Sequence, residues 1–263
     1  MAVLEVNNIS IEFGGLKAVT NFNLSLNEGE LVGLIGPNGA GKTTIFNMLT
    51  GVYLPTSGDI FLTLRDNVPK KINGLKPFKI TQAGAARTFQ NIRLFKDLTV
   101  LDNVLIAMHY RVKYNAFKAI IRTTSFYKEE EDIKSKAMDL LKIFNIDSKA
   151  NELAKNLPYG EQRKLEIARA LATKPRILLL DEPAAGMNPQ ETDDLMGLIR
   201  FIRDKFDLTI LLIEHDMRLV MGICERIVVL DYGQTIAVGT PDEISKDPKV
   251  IRVYLGEEVK DNA

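Results

Sequence analysis

The chain has 263 residues, 46% hydrophobic and 26% charged, and its 34 basic side chains balance 34 acidic ones to a formal net charge of zero. That composition suits a soluble globular protein, one large domain or a core with a smaller subdomain, and supplies no global basic field for nucleic acid. The single cysteine, Cys224, excludes a disulfide framework and a cysteine-rich zinc site; in its apolar stretch it reads as a buried small hydrophobe and suits the cytoplasm.

The N-terminus MAVLEVNN does not read as a signal peptide, and no run approaches the ~18 apolar residues of a membrane span. Any work at a membrane is therefore expected from its surface. Residues 3–35 alternate as strands do, with turns at FGG and LNEGE. A glycine-rich loop, GPNGAGKTT at 36–44, opens the helix TTIFNMLTG, in which Ile45, Met48 and Leu49 share a face and Gly51 stands at the C′ stop. Residues 59–82 read as a hairpin and a lysine-containing loop, RDNVPKKINGLKPFK over 65–79.

From about 92 to 165 helical periodicity takes over, in LTVLDNVLIAM and IKSKAMDLLKIF, which predicts an inserted helical subdomain. Within it KEEED, at 128–132, is a solvated charged face. The stretch 110–130 and the loop at 65–79 stay open between solvated decoration and a docking surface. The subdomain ends in LPYGEQRKLEIARAL, residues 157–171. From Arg163 onward this is an amphipathic helix with Ile167, Ala170 and Leu171 on one face. Its start offers Pro158, Tyr159 and Gly160 where Ser, Thr, Asp or Asn is usual, which leaves open what the bare helix end faces.

Strand and helix then alternate: RILLLDE, a helix in NPQETDDLMGLIRFIRDKF with Leu195, Leu198, Ile199 and Ile202 together, LTILLIEH, a helix in DMRLVMGICE, and the hairpin RIVVLDYGQTIAVG. TPDEISKD opens a last helix, with Thr240 and Glu243 placed as a capping box around Pro241 at N1. The alternation predicts an α/β fold with a parallel sheet. The expected layout is one domain, with 1–91 and 166–263 as core plus β region and about 92–165 as the helical insert.

GPNGAGKTT matches G-x-x-x-x-G-K-[ST] between a strand and a helix, the context that motif requires. Gly36, Gly39 and Gly41, with Pro37, Asn38 and Ala40 between them, let backbone wrap phosphate oxygens at a helix N-terminus. Lys42 reaches the β- and γ-phosphates of ATP; Thr43, followed by Thr44, offers its hydroxyl to Mg²⁺. In ILLLDEP a buried strand runs into Asp181 and Glu182 at the strand end where open α/β sheets place ligands. Downstream of such a loop, Asp181 fits an Mg²⁺-holding role and Glu182 that of the base that polarises the attacking water. His215 ends LLIEH in the same way and is either a capping histidine or a member of this site. His109 has no such context and reads as a surface or core histidine.

The order of these features, with Gln90, the glycine-containing helix start and His215, resembles the ATP-binding-cassette (ABC) ATPases over residues 3 to about 256. The strings RTFQNIRLF, YGEQRKLEIARALA, DEPAAGMNPQET, LLIEHDMRLVMGICERI and GTPDEI…DPKVIRVYLGE resemble the ATP-binding subunit of branched-chain amino acid importers. The resemblance implies a P-loop NTPase, RecA-like core with an N-terminal antiparallel β region. It implies a Q-loop role for Gln90, contacting Mg²⁺ and water, where the bare residues suggest only a loop position. It makes Phe13 the aromatic that stacks on adenine; Phe13 also continues the alternation Ile9, Ile11, so a plain strand hydrophobe stays open.

The resemblance also answers the question raised by LPYGEQ. Tyr159, Gly160, Glu161 and Gln162 would form the signature that meets, in trans, the ATP of a second subunit in a head-to-tail dimer, where bare N–H groups suit a γ-phosphate. Four replacements stand out: Pro158 replaces the signature serine, Tyr159 its first glycine and Glu161 its glutamine, which adds negative charge, while Asn188 replaces the aspartate of the D-loop. Asn188 also fits an ordinary capping box with Pro189 at N1. The implied partners are membrane-spanning permease subunits, a second ABC ATPase subunit (sister chain or itself) and, indirectly, a solute-binding protein, at the cytoplasmic face of the membrane. A lipopolysaccharide exporter's ATPase is the alternative within the class. A soluble cassette acting on DNA or ribosomes is disfavoured by neutral charge and a compact helical insert, so no nucleic acid is expected.

Overall fold

A computed structural model of the chain describes residues 1–64, 66–109 and 124–255. Two compact units emerge: Met1–Gln90 together with Pro175 onward, and Asn91–Lys174.

In the first unit, β1 (Ala2–Phe13) and β2 (Leu16–Asn27) form an antiparallel hairpin that continues through β4 (Ser57–Thr63) and β5 (Pro69–Lys71), in the order β2-β1-β4-β5. Their alternating burial reflects a sheet with one face in the core. A second sheet has the order β10-β9-β3-β8-β7-β6, built from β3 (Leu31–Ile35), β6 (Ala85–Arg87), β7 (Ile177–Asp181), β8 (Thr209–Ile213), β9 (Arg226–Asp231) and β10 (Gln234–Gly239). All its neighbours run parallel except the β9–β10 hairpin. β3, β7 and β8 are buried at every position, which is why they read as unbroken apolar runs. One hydrophobic cluster joins both sheets to α1 (Lys42–Leu49) through Phe22, Leu26, Leu34, Ile45, Phe46, Ile60 and Ile213.

The first unit also holds α2 (Pro77–Ala83), and the second unit is built from α3 (Val100–Met108), α4 (Thr124–Ile143) and α5 (Tyr159–Ala172). α6 (Pro189–Phe206), α7 (Met217–Ile223), α8 (Pro241–Ile244) and α9 (Pro248–Leu255) complete the first unit. Both anticipated capping boxes are present, at Asn188–Glu191 and Thr240–Glu243. Gly51 follows α1 at φ 73, as a C′ glycine does.

Three features depart from the expected layout. The stretch read as a loop over 65–79 contains β5 and the start of α2, whose N1 is Pro77. A three-residue strand, β6, precedes Gln90; it is too short to show a period. The boundary expected at 165/166 falls inside α5, and the second unit runs on to Lys174. An α-helix is one hydrogen-bonded ladder, and α5, which packs against α3, buries Leu165, Ile167, Ala168 and Leu171. Arg65 and residues 110–123, within stretches given no role, lie outside the described residues, as does the end of the RVYLGE string. Within 128–132 the side chains are exposed or half-buried.

Candidate functional site

Neighbouring parallel strands deliver the predicted residues to one edge. β3 ends at the glycine-rich loop, β8 at Glu214 and His215, β7 at Asp181 and Glu182, and β6 three residues before Gln90. In an open α/β sheet the carboxyl edge is where ligands bind.

The loop backbone needs its glycines. Gly36 has φ 149, and a Cβ there would lie 2.2 Å from the Leu230 carbonyl; Gly41, at φ 101, is the N-cap of α1 and provides no side-chain cap. Pro37, Asn38 and Gly39 face outward, while Ala40 is buried beneath them. Lys42 is buried, and its Nζ donates to the carbonyls of Gly36 at 2.7 Å and Pro37 at 2.9 Å. Burial lowers the Lys42 pKa, and the charges of Glu182 and Asp181 raise it again. Thr43 is exposed beside it and Thr44 half-buried. Tyr254, on α9, has its phenol pushed up by burial and drawn down by a hydrogen bond with the Gly36 backbone. The C-terminal helix therefore reaches the first glycine of the loop.

Asp181 is buried and pairs with Arg87 at 2.6 Å. Arg87 also donates to Asn47 Oδ1 at 2.8 Å and Thr50 Oγ1 at 3.2 Å, and its guanidinium lies near the Phe46 and Phe89 rings. β6 is thereby pinned to α1 and β7 together. Glu182 sits in left-handed backbone at φ 46, with its N–H donating to the Ile213 carbonyl at 2.9 Å. Gln90 is exposed, and its Nε2 donates to Glu182 Oε2 at 2.7 Å. His215 is 63% exposed in its side chain, with Nδ1 3.7 Å from that same oxygen. The same nitrogen lies 3.8 Å from Glu214 Oε2, so the strand-end histidine sits between the two acids, while Asp216 caps α7 by accepting from the N–H groups of Arg218 and Leu219. His109 is exposed at the C-cap of α3.

Phe13 breaks the burial alternation of β1. Ile9 and Ile11 are buried, but Phe13 is 43% exposed and meets the Tyr53 ring edge-on at 5.2 Å between centroids. Asn188 makes both bonds of its capping box: Oδ1 accepts the Glu191 N–H at 3.0 Å, and its own N–H donates to Glu191 Oε2 at 2.9 Å.

The second unit holds the LPYGEQ helix start. Pro158 is the N-cap of α5 and makes no side-chain cap bond. Tyr159 is 45% exposed, Gly160 and Glu161 are half-buried, and the Gln162 amide donates to the Leu157 carbonyl at 2.8 Å. Glu161 has both carboxylate oxygens on Lys149 Nζ, at 2.6 and 2.8 Å. Behind this end Arg163, at 0% exposure, donates to Glu166 at 2.8 Å and lies near the Tyr159 ring. Glu166 in turn accepts the Arg93 N–H at 3.1 Å.

Residues 19–185 match the family model described as ABC transporter. The chain belongs to the ABC transporter family. A second model, described as branched-chain amino acid ATP-binding cassette transporter, matches residues 234–260 of this ABC chain. It is 50% identical over 255 residues to the high-affinity branched-chain amino acid transport ATP-binding protein LivG of Escherichia coli (strain K12), covering 97% of the chain and 98% of LivG. It is 35% identical over 260 residues to the lipopolysaccharide export system ATP-binding protein LptB of the same strain, covering 99% and 100%. Among solved structures, the ADP conformation of MJ1267, an ATP-binding cassette of an ABC transporter, superposes with a TM-score of 0.82 at 31% identity, covering 98% of this chain and all of that one. The dimeric post-hydrolysis state of the cassette MJ0796, bound to ADP and Pi, matches at 0.73 and 26% identity, covering 90% and 98%.

The protein is thus an ABC-type ATPase with a P-loop NTPase fold. Arg87, Lys149 and Glu214 are the polar residues here that motif reading passed over. Glu214 did carry a signal: like Asp181, it is an acid closing an unbroken apolar run.

The nucleotide and metal that such a fold implies can be tested against these residues. The glycine loop, the buried Lys42 ammonium and the uncapped start of α1 fit a polyphosphate. Thr43, Asp181 and Gln90 are hard oxygen donors, the kind Mg²⁺ takes together with phosphate oxygens and water. The residues fit both.

Proposed function

We propose that this chain is the ATP-hydrolysing subunit of an importer for branched-chain or related amino acids. The observation that carries the reading is its 50% identity to LivG over 97% of the chain, well above the 35% to LptB. The chain would work at the cytoplasmic face of the membrane, docked on permease subunits that receive solute from a binding protein. Among the described residues no helix is long and apolar enough to cross a membrane, so attachment through the permease is the economical arrangement. Nucleic acid is not among its partners in this reading.

In the proposed site the adenine stacks on Phe13, and the phosphates lie in the loop of Gly36, Pro37, Asn38, Gly39, Ala40 and Gly41, followed by Lys42, Thr43 and Thr44. Thr43, Asp181 and Gln90 would hold Mg²⁺, which would supply neutralisation of phosphate charge. Glu182 accepts the proton of the attacking water as its oxygen bonds to the γ-phosphorus and the bond to ADP breaks. Gln90, bonded to Glu182 at 2.7 Å, holds that carboxylate and the water in line. His215 faces the γ-phosphate from the other side. Tyr159, Gly160, Glu161 and Gln162 of a second subunit, itself or a sister ATPase, close the site, with Asn188 in the D-loop beside them. Bound ATP then holds two subunits together and hydrolysis releases them, which couples chemistry to opening and closing.

Glu182→Gln tests the chemistry. It should keep ATP binding, lower turnover by about 10²-fold or more, and trap an ATP-bound dimer visible by light scattering. A monomer at saturating ATP would refute the sandwich. For the transported solute, the chain should co-purify with its neighbouring permease subunits and drive leucine uptake in reconstituted vesicles; capture of lipopolysaccharide-export subunits instead would overturn the assignment.

A further inference from the structure

Glu214 is a buried acid for which the mechanism above has no use. It directly precedes His215 and is 1% exposed. Its Oε1 accepts the N–H of Ala184 at 2.8 Å, and its Oε2 accepts those of His215 at 3.0 Å and Asp216 at 3.4 Å. Ala184 lies two residues past Glu182, in the loop that leaves β7. One side chain therefore bonds the loop that carries Glu182 to the loop that carries His215.

The two loops start side by side. Asp181 pairs with Ile213 in parallel register, and the Glu182 N–H donates to the Ile213 carbonyl. There the ladder ends, Glu182 turns into left-handed backbone, and the loops diverge. A non-glycine residue holds that conformation only where surrounding bonds offset its strain. Glu214 supplies one just where they are required, at Ala184.

Its chemistry is specific. Each carboxyl oxygen faces backbone N–H donors, so both positions must accept, and an amide would present its own N–H₂ to one of them. Burial pushes the carboxyl pKa up, while the N–H groups of Ala184, Asp216 and His215 and the His215 ring hold it down. A buried acid is costly unless such donors surround it. The expense is explained by what Glu214 holds in place.

We propose that Glu214 is a positioning residue for hydrolysis, setting the Glu182 turn and the His215 backbone in one geometry so that both side chains address the same phosphate. This rests on the roles given above to Glu182 and His215.

The test is Glu214→Gln in the full chain, with kcat and KM for ATP, affinity for a fluorescent ATP analogue, and thermal melting measured together. The expected result is a kcat lowered about ten- to a hundred-fold, as for a misplaced catalytic group, with analogue affinity within about two-fold of the parent. Glu214→Asp keeps two acceptor oxygens and should recover part of the loss. A parental kcat in Glu214→Gln, or equal losses of kcat and nucleotide affinity, would overturn the proposal. If Glu214→Gln does not fold, Glu214→Asp carries the test: kcat reduced at constant affinity supports it and an unchanged kcat refutes it. Glu182→Gln, assayed alongside, separates the two readings. Were that variant to turn over normally, the assignment of the base would fail whatever Glu214 did.

Discussion

Lys42 shows what burial does to a phosphate-binding cation. Its ammonium is held below the ordinary lysine pKa by desolvation, against the pull of Glu182 and Asp181. In the free protein it therefore loses its proton at a lower pH than an exposed lysine, whereas a polyphosphate beside it favours the charged form and restores the proton. Nucleotide binding is expected to take up protons as pH rises through that depressed pKa, and affinity to fall there. Calorimetry in two buffers of different ionisation enthalpy reads the uptake; its absence on the alkaline side would argue against a Lys42–phosphate contact. Glu161 poses the opposite case, an acid where the family has glutamine. The structure sets Lys149 on both its oxygens, so the charge at this helix start is already balanced. As a partly exposed pair it contributes roughly 0–1 kcal/mol to folding. Its effect belongs to the dimer: Lys149→Met should weaken ATP-driven dimerisation in the Glu182→Gln background by about five-fold, or 1 kcal/mol. Adding Glu161→Gln should restore it, and a double variant no better than Lys149→Met would remove charge balance from the account.

At the scale of the element, helix starts divide into two kinds. α6 and α8 begin with capping boxes that satisfy their own N–H groups. α1, α2 and α5 begin at Gly41, Lys76 and Pro158 without a side-chain cap, and the first and last of these are the helix ends assigned to phosphate. At those two ends a missing cap suits the proposed role, because a capped N-terminus has less to offer an anion. Asn188 is the informative member of the first group. Asn188→Ala should cost about 1 kcal/mol of stability by loss of the cap, while Asn188→Asp should keep it. Denaturant melts of the two variants check this, and an Asn188→Ala chain as stable as the parent would show that the cap contributes little. α5 itself exceeds its amphipathic reading. Arg163 and Glu166 are both buried and bonded to each other, so the helix hides an ion pair where periodicity placed a polar side.

At the scale of the molecule, the proposed machinery divides between units. The P-loop, Asp181, Glu182, Gln90 and His215 belong to the first, and the LPYGEQ helix start to the second. Under the head-to-tail reading each nucleotide needs the first unit of one chain and the second unit of another, so ATP-dependent association is a necessary consequence. Cys224 stands apart from this machinery. Burial raises its thiol to about 12, and it packs where a Cβ on Gly33 would come within 3.0 Å of its sulfur. It is a small core residue, as its apolar neighbours suggested.

Local chemistry carried the sequence a long way. The glycine loop, the acid-terminated strands, the two capping boxes and the alternation of strand and helix depend on near neighbours in the chain, so spacing alone reveals them. Gln90 and Phe13 were legible only through resemblance, since a lone polar or aromatic residue has no period of its own. What tertiary structure decided were the partnerships across long sequence separations: Arg87 with Asp181, Gln90 with Glu182, and Glu214 with Ala184. It also decided that Phe13 leaves the core and that α5 belongs whole to the second unit. The physical reason is the same in each case. Whether a buried charge finds a partner, or a strand residue finds solvent, depends on which segments the fold brings alongside, and that is written in the packing of the sheets rather than in any one stretch of the chain.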